Sequence, residues 1–287
     1  MSSPAVVRPW ETGEVRSALE ERVDPRARSW FVAGERAGLA LLEARLPRPF
    51  RLVFTTRHGG HSKGTFAYLN LDTRSGQDPA APGNRALLAR AVARRLVSPA
   101  QVHGLRVTGT AEYSAGDPQA PCDGLTLHPL LDRGFAAALL FADCLPLVLY
   151  GEVDLAVVHA GWRGLLGGVL QRAGSAMVGP PAGLVVGPSI GPCCFAVGPE
   201  VADAFRARFG EEVVVRAGRG STGEAGVLRV DLWKAAERVA LDIGVPPRLV
   251  HNPRLCTVCN SDLFFSYRAE GPVTGRHACV AWTDDEA

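Results

Sequence analysis

Three apolar runs in the middle of the chain dominate its hydrophobic pattern. Residues 136–141, 145–150 and 155–158 are each of strand length, apolar at almost every position and bounded by Gly, Pro or Asp, which predicts central buried strands. Residues 30–32 and 51–55 read as further strands from their Val, Phe and Thr content, 184–186 as another, and 277–282 as the last. Helix-like patterning falls at 15–23, at the Ala/Leu stretch 38–44, and at 82–96, 164–177, 200–209 and 232–243. Strands and helices alternate without an internal repeat or heptad. The expected fold class is therefore α/β, a single-domain layered α/β sandwich with mixed sheets. Residues 1–28 are charged and poorly patterned, so they read as a loosely attached N-terminal extension, with the folded domain at 29–287.

Composition narrows the function classes. Hydrophobic residues make up 47% and charged residues 21% of 287, with 31 Lys+Arg against 29 Asp+Glu, which is ordinary globular balance and argues against nucleic acid as a partner. Lys63 and Lys234 are the only lysines, so arginine supplies nearly all the positive charge. No apolar run approaches the roughly 20 residues of a membrane helix. Arg8, Pro9 and Glu11 interrupt the start of the chain where a secretory leader needs an apolar stretch, so no membrane partner and a cytoplasmic location are expected. Seven cysteines in a chain of this size argue against a disulfide framework and leave thiols for chemistry or metal.

Candidate ligands stand at the ends of apolar segments: His103 in Gln-Val-His-Gly, Cys144 in Ala-Asp-Cys-Leu-Pro, and His159 in Val-Val-His-Ala-Gly-Trp-Arg-Gly. Their long spacings suit a catalytic site that gathers three ligands and keeps a position open, in which Zn²⁺ takes nitrogen and sulfur donors and activates water near neutrality. The competing reading makes both histidines hydrogen-bonded structural residues and Cys144 a small buried hydrophobe. Arg57 lies in the polar loop Thr56-Arg57-His58-Gly59-Gly60-His61-Ser62, and Arg163 and Arg268 lie in Gly-containing or aromatic segments. Each is a candidate to clamp phosphate bidentately, or an ordinary surface arginine. Asn70 in Leu-Asn-Leu reads as a ribose-hydroxyl ligand or a turn cap. Cys256-Thr257-Val258-Cys259 has a metal-like spacing, but no second Cys-x2-Cys accompanies it, so it reads as structural thiols in a turn. The adjacent Cys193 and Cys194, beside Pro192, read as a tight loop rather than as tetrahedral ligands. A serine-hydrolase elbow, a Walker A loop and a dinucleotide fingerprint are missing from the sequence.

Taken in order, Phe-Thr-Thr-Arg-His-Gly-Gly-His-Ser, Leu-Asn-Leu, Gln-Val-His, Ala-Asp-Cys-Leu-Pro, Val-Val-His-Ala-Gly-Trp-Arg-Gly, Gly-Pro-Ser-Ile-Gly-Pro-Cys-Cys-Phe, Cys-Thr-Val-Cys and Phe-Phe-Ser-Tyr-Arg resemble the laccase-domain, YfiH-type family from about Phe54 to Trp282. The resemblance implies one α/β domain whose catalytic centre is a zinc held by one Cys and two His, carried over here as Cys144, His103 and His159. It implies phosphorolysis of purine nucleosides and methylthioadenosine, with adenosine deamination and a peptidoglycan-editing role also attached to the family. The expected partners are a small-molecule nucleoside and phosphate, and the expected cofactor is Zn²⁺. Two rivals use the same residues: a copper-dependent polyphenol oxidase, in keeping with the family name, and a cysteine hydrolase editing peptidoglycan precursors with Cys144 as nucleophile. The sequence departs from the family after Leu71, where Arg74 replaces a family histidine, and at His61, where a small apolar residue is usual.

Overall fold

Strands that are apolar at every position need cover on both faces, and this chain provides it by stacking two sheets and placing helices outside them. The computed structural model describes residues 8–216 and 226–284. Along the chain run α1 (Thr12–Arg22), β1 (Phe31–Arg36), β2 (Leu39–Ala44), β3 (Phe50–Thr55), α2 (Ala81–Val92), β4 (Arg95–Val97), β5 (Val107–Gly109), α3 (Thr110–Ala115), β6 (Gly124–Leu127), β7 (Phe135–Phe141), β8 (Leu145–Tyr150) and β9 (Leu155–Ala160). There follow α4 (Trp162–Gly167), α5 (Val169–Ala176), β10 (Gly183–Val186), α6 (Pro199–Phe209), β11 (Val214–Arg216), β12 (Leu228–Val230), α7 (Leu232–Asp242), β13 (Val250–His251), α8 (Tyr267–Glu270) and β14 (His277–Thr283). One six-stranded sheet has the order β1-β2-β3-β14-β7-β4 and the other β13-β10-β8-β9-β6-β5, while β11 and β12 form a separate ribbon. Both large sheets are mixed: β4 runs parallel to β7 and β13 parallel to β10, and the central pairs are antiparallel.

Side-chain alternation along each strand explains the layers. Val148 and Tyr150 of β8 join Leu139 and Phe141 of β7, Phe54 of β3 and Val157 of β9 in the core between the sheets. Leu145, Leu147 and Leu149 point the other way, onto Val169 and Ala173 of α5 and Trp233 and Val239 of α7. The outer face of the first sheet packs Val53, Ala138 and Val280 against Leu88 and Val92 of α2. Truncating a fully buried leucine such as Leu147 costs about 2–5 kcal/mol on general grounds. The α/β class, the layered mixed sheets and the central strands all match the pattern read from the sequence.

Four expectations are corrected. The helix expected at 38–44 is instead β2 (Leu39–Ala44): Leu39, Ala40, Leu41 and Leu42 are all buried between partners on both sides, and tertiary pairing with β1 and β3 overrides Ala/Leu helix propensity. The helix expected at 82–96 stops at Val92, where Ala93 turns left-handed at φ 52°, and residues 95–97 become β4. The single helix expected at 164–177 breaks into α4 and α5 at Gly168, whose φ of 92° suits glycine. The helix expected at 15–23 forms as α1, but the segment read as loosely attached is packed, with Val15 and Leu19 fully buried in the inter-sheet core.

Candidate active site

The chain crosses from one sheet to the other between β7 and β8, and the crossing makes the site. Asp143 adopts a φ of 90°, rare for a non-glycine residue, and is held there by its own carboxylate. Oδ1 accepts from Thr257 Oγ1 at 2.6 Å and Ser266 Oγ at 2.7 Å, while Oδ2 accepts from the Arg268 amide at 2.6 Å. Cys144 follows directly, with its thiol on the wall of a cleft. His103 lies between β4 and β5 with a left-handed φ of 59°. His159 lies inside β9 and is buried.

Asp123 ties the two histidines together. Its Oδ1 lies 2.8 Å from His159 Nδ1 and accepts from the His103 amide at 2.9 Å, and its Oδ2 accepts from the amides of Val102 at 3.1 Å and Gly104 at 2.7 Å. With Nδ1 engaged by a carboxylate, His159 has Nε2 left for a ligand. The ligand atoms of His103, Cys144 and His159 all lie within 4.8 Å of one another. Gly161 makes room for this approach, since a Cβ there would stand 2.5 Å from His103 Nδ1 and 3.4 Å from Cys144 Sγ.

The Cys144 thiol and the His159 imidazole favour each other's charged forms. Burial alone would raise the Cys144 thiol, but the charges and hydrogen bonds of His159 and His103 outweigh it and bring the thiol down to about 6. Burial would lower His159, and the Cys144 thiolate and Asp123 reverse this, raising it to about 9. Burial also works to raise the Asp123 carboxyl, yet His159 and the surrounding amides hold it below the usual carboxylate range. A thiolate and two imidazoles, one oriented by a carboxylate behind it, fit a three-ligand zinc site with an open position.

The cleft measures about 480 Å³ and is lined by the three candidate ligands, by Trp162, Phe195 and Tyr267, and by Arg163, Arg268 and Arg276. Arg268 Nη1 reaches only carbonyls, those of Cys194 at 3.3 Å and Ala196 at 3.0 Å. Arg276 Nη1 reaches those of Thr274 and Gly275, both at 2.9 Å. Arg163 lies over the Trp162 ring at 4.2 Å. Among the described residues none of the three guanidiniums pairs with a carboxylate, although the Asp143 carboxylate also lines the cleft.

Arg57 and Asn70, read as candidate ligand-binding residues, lie outside the cleft lining. Arg57 is 2% exposed and donates to the carbonyls of Ala67 and Ser261 and to Glu270 Oε1 at 2.6 Å, so its guanidinium is consumed internally. Asn70 is fully buried, donating to Asp78 and accepting from the amides of Asp72 and Arg276. Arg74 and His61, where the sequence departs from the family pattern, both lie outside the cleft lining. Asp123, Arg276 and the aromatic walls were not singled out in the sequence. Asp123 sits in no motif there, and Arg276 carried only the weak signal of standing just before the last strand.

The family model described as multi-copper polyphenol oxidoreductase laccase matches residues 51–284. The chain belongs to this laccase-domain, YfiH-type family. Among its relatives, the purine nucleoside phosphorylase YlmD of Geobacillus stearothermophilus is 34% identical over 242 residues, 77% of this chain and 86% of its own length. The purine nucleoside phosphorylase YfiH of Escherichia coli is 31% identical over 246 residues, 82% of this chain and 95% of its own. Protein NMB0706 of Neisseria meningitidis, solved by crystallography, is 35% identical with a TM-score of 0.74, covering 85% of this chain and 99% of that one. The crystal structure of YlmD gives the same TM-score at 30% identity, covering 88% and 99%. The laccase-domain match thus includes every candidate ligand, the whole second sheet, and all of the first sheet except β1, β2 and the first residue of β3.

Proposed function

We propose that this protein is a zinc-dependent purine nucleoside phosphorylase whose centre is His103, Cys144 and His159. The observation that carries the reading is the convergence, in one cleft, of the His/Cys/His cluster with three arginines that lack carboxylate partners. The names of the relatives support the same activity.

In phosphorolysis a phosphate oxygen bonds to C1′ of the ribose as the C1′–N9 bond breaks; the bonding pair leaves on the purine, which takes up a proton. Arg163, Arg268 and Arg276, which line the cleft, would hold the phosphate and keep it dehydrated beside the sugar. Trp162, Phe195 and Tyr267 offer flat apolar surface for the base. Asp143 positions Arg268 by fixing its backbone, and Asp123 fixes the ring of His159. A Zn²⁺ held by His103, Cys144 and His159 would supply Lewis-acid polarisation of a substrate atom.

The copper-oxidase reading finds less support. Moving electrons to oxygen through several coppers calls for several histidine clusters, and among the described residues the only histidine-containing ligand group is this one. The cysteine-hydrolase reading rests on the Cys144 thiol being lowered to about 6 between two histidines. A panel of adenosine, inosine, guanosine and methylthioadenosine, with and without phosphate and read by product mass, tests the phosphorylase reading, and oxygen uptake on phenols by copper-bearing protein tests the oxidase. Free base plus a sugar 1-phosphate, formed only with phosphate and abolished by chelation, is the expected result. Full activity in chelator, or phosphate-independent products throughout, would overturn the proposal. Deamination, which the family resemblance also implies, would appear as inosine formed from adenosine without phosphate.

A further inference from the structure

Four of the seven cysteines lie outside the cleft's ligand set and close to one another. Cys193 and Cys194 sit on the loop after β10, and Cys256 and Cys259 on the segment between β13 and α8. Their four sulfurs all lie within 4.8 Å of one another. Cys259 Sγ is 3.6 Å from Cys193 Sγ and 3.5 Å from Cys194 Sγ. A disulfide requires about 2.05 Å. Sulfurs at the corners of a tetrahedron with Zn–S bonds of about 2.3 Å stand about 3.8 Å apart, close to what is observed.

The backbone is also arranged for a metal. The Gly191 amide points at Cys256 Sγ at 3.3 Å, and the amides of Val258 and Cys259 converge on the same sulfur. Amides directed at a thiolate from the second and third residues after it, in a Cys-x2-Cys turn, neutralise the charge that four thiolates bring to a divalent ion. The two loops are held in register by paired backbone bonds, Ser189 N to Leu255 O and Thr257 N to Ser189 O, both at 3.1 Å. From sequence alone, the adjacent Cys193 and Cys194 read as a tight loop and the Cys256/Cys259 pair as structural thiols in a turn; the fold brings the two pairs together.

We infer that Cys193, Cys194, Cys256 and Cys259 bind a second Zn²⁺ in a closed tetrathiolate site with a structural role. All four positions are filled by protein, so the ion has no place for substrate. The site lies behind the cleft: Arg268 anchors on the carbonyls of Cys194 and Ala196, and Thr257, next to Cys256, holds Asp143. A metal joining the two loops would therefore fix the wall that carries Arg268.

The inference does not depend on what the His/Cys/His centre binds, and the test separates the two. Zinc is measured per chain in protein purified under reducing conditions without added metal, for the wild type, Cys259→Ser and Cys144→Ala. Two zinc ions are expected in the wild type and one in each variant. In Cys144→Ala the remaining ion, exchanged for Co²⁺, should show the intense thiolate-to-cobalt charge-transfer bands and the visible pattern of an all-sulfur tetrahedron. This readout decides the matter even if Cys259→Ser does not fold. A zinc content unchanged by Cys259→Ser, a cobalt spectrum without thiolate bands in Cys144→Ala, or a native mass two hydrogens low with Cys259 in a disulfide would each overturn the tetrathiolate site. If Cys144→Ala keeps both ions while Cys259→Ser loses one, the His/Cys/His zinc reading fails and the tetrathiolate site stands.

Discussion

Arg57 and Arg268 each lie over an aromatic ring, Phe265 at 4.5 Å and Phe195 at 5.3 Å, and each was a candidate phosphate ligand. Their surroundings differ. Arg57 is buried, and Glu270 cancels its charge within the protein. Arg268 is exposed on the cleft, bonded only to carbonyls that leave its charge unspent. The same contrast separates Asn70, saturated by its own network, from the ligand set of the cleft. A polar side chain next to glycines signals a built loop, but its role depends on whether its hydrogen-bonding capacity is already used. Residues free for substrate are those the fold leaves unneutralised at a surface.

The sharpest test of this division is the ligand set itself. Cys144→Ala removes one of three protein ligands from the proposed zinc centre, and loss of metal and of nucleoside turnover together is expected, with activity falling at least about a thousandfold. Circular dichroism should show a folded protein, because Cys144 stands at a cleft wall rather than at the centre of a packed layer. Turnover that survives in the variant would show that the centre of the reaction lies elsewhere.

Exchanging the two arginines separates stability from binding. Arg57→Ala leaves Glu270 without its cation in a buried setting and should cost about 3–5 kcal/mol in denaturant unfolding. The KM for phosphate should stay within about twofold of wild type. Arg268→Ala should do the reverse: less than about 1 kcal/mol of stability, and a rise in phosphate KM of roughly tenfold to a hundredfold from one lost charge-assisted contact. If both variants lose stability and neither shifts KM, the cleft arginines are structural too.

Asp123→Asn probes the support behind the histidines. It keeps the size of the side chain but removes the carboxylate that engages His159 Nδ1 and the amides of residues 102–104. Metal affinity should fall roughly 10–100-fold, with turnover restored by excess zinc. Competition with a chromogenic chelator gives the affinity directly, and an unchanged value would mean that Asp123 only organises the loop.

The sequence made parts of this molecule legible because of local rules, and hid others where long-range contacts decide. The runs at 145–150 and 155–158 were readable because both faces of β8 and β9 are covered, which leaves no polar alternation. The stretch at 38–44 is equally covered, but its Ala and Leu content imitates a helix, and only pairing with β1 and β3 decides the matter. His103, Cys144 and His159 were visible because each ends or interrupts an apolar segment. Asp123 was invisible: its function comes from two elements that meet it in space, His159 at 36 residues' separation and the 102–104 loop. The four clustered cysteines were hidden for the same reason, since two loops 65 or 66 residues apart bring them together.

The smallest expected effect concerns acid stability, and it comes from histidines that take no part in the cleft. His277 is fully buried at the start of β14, and burial, aided by the charges of Arg276 and Arg57, pushes it down to about 3. His251, stacked on Trp30, is lowered by burial to about 4. An unfolded histidine titrates near 6.5. Between 6.5 and the folded values the unfolded chain binds protons that the folded chain refuses, so this contribution to stability is complete above about pH 6.5 and is lost progressively as pH falls towards 4 and 3. Each group contributes at most about 1.4 kcal/mol per pH unit within its window. Carboxylates such as Asp24, held at about 2 by its hydrogen bonds with Arg26, lose their contribution only below about 4; the Cys144 thiol, at about 6, titrates between pH 6.5 and 5 in wild type and variant alike and so cancels when their slopes are compared. Urea unfolding across that interval should give a smaller pH slope for His277→Gln than for wild type, by up to one proton's worth. The glutamine variant's lower absolute stability does not affect this comparison, because only the slope is compared. Equal slopes in the two proteins would mean that His277 is already protonated in the folded state and that burial does not exclude its charge.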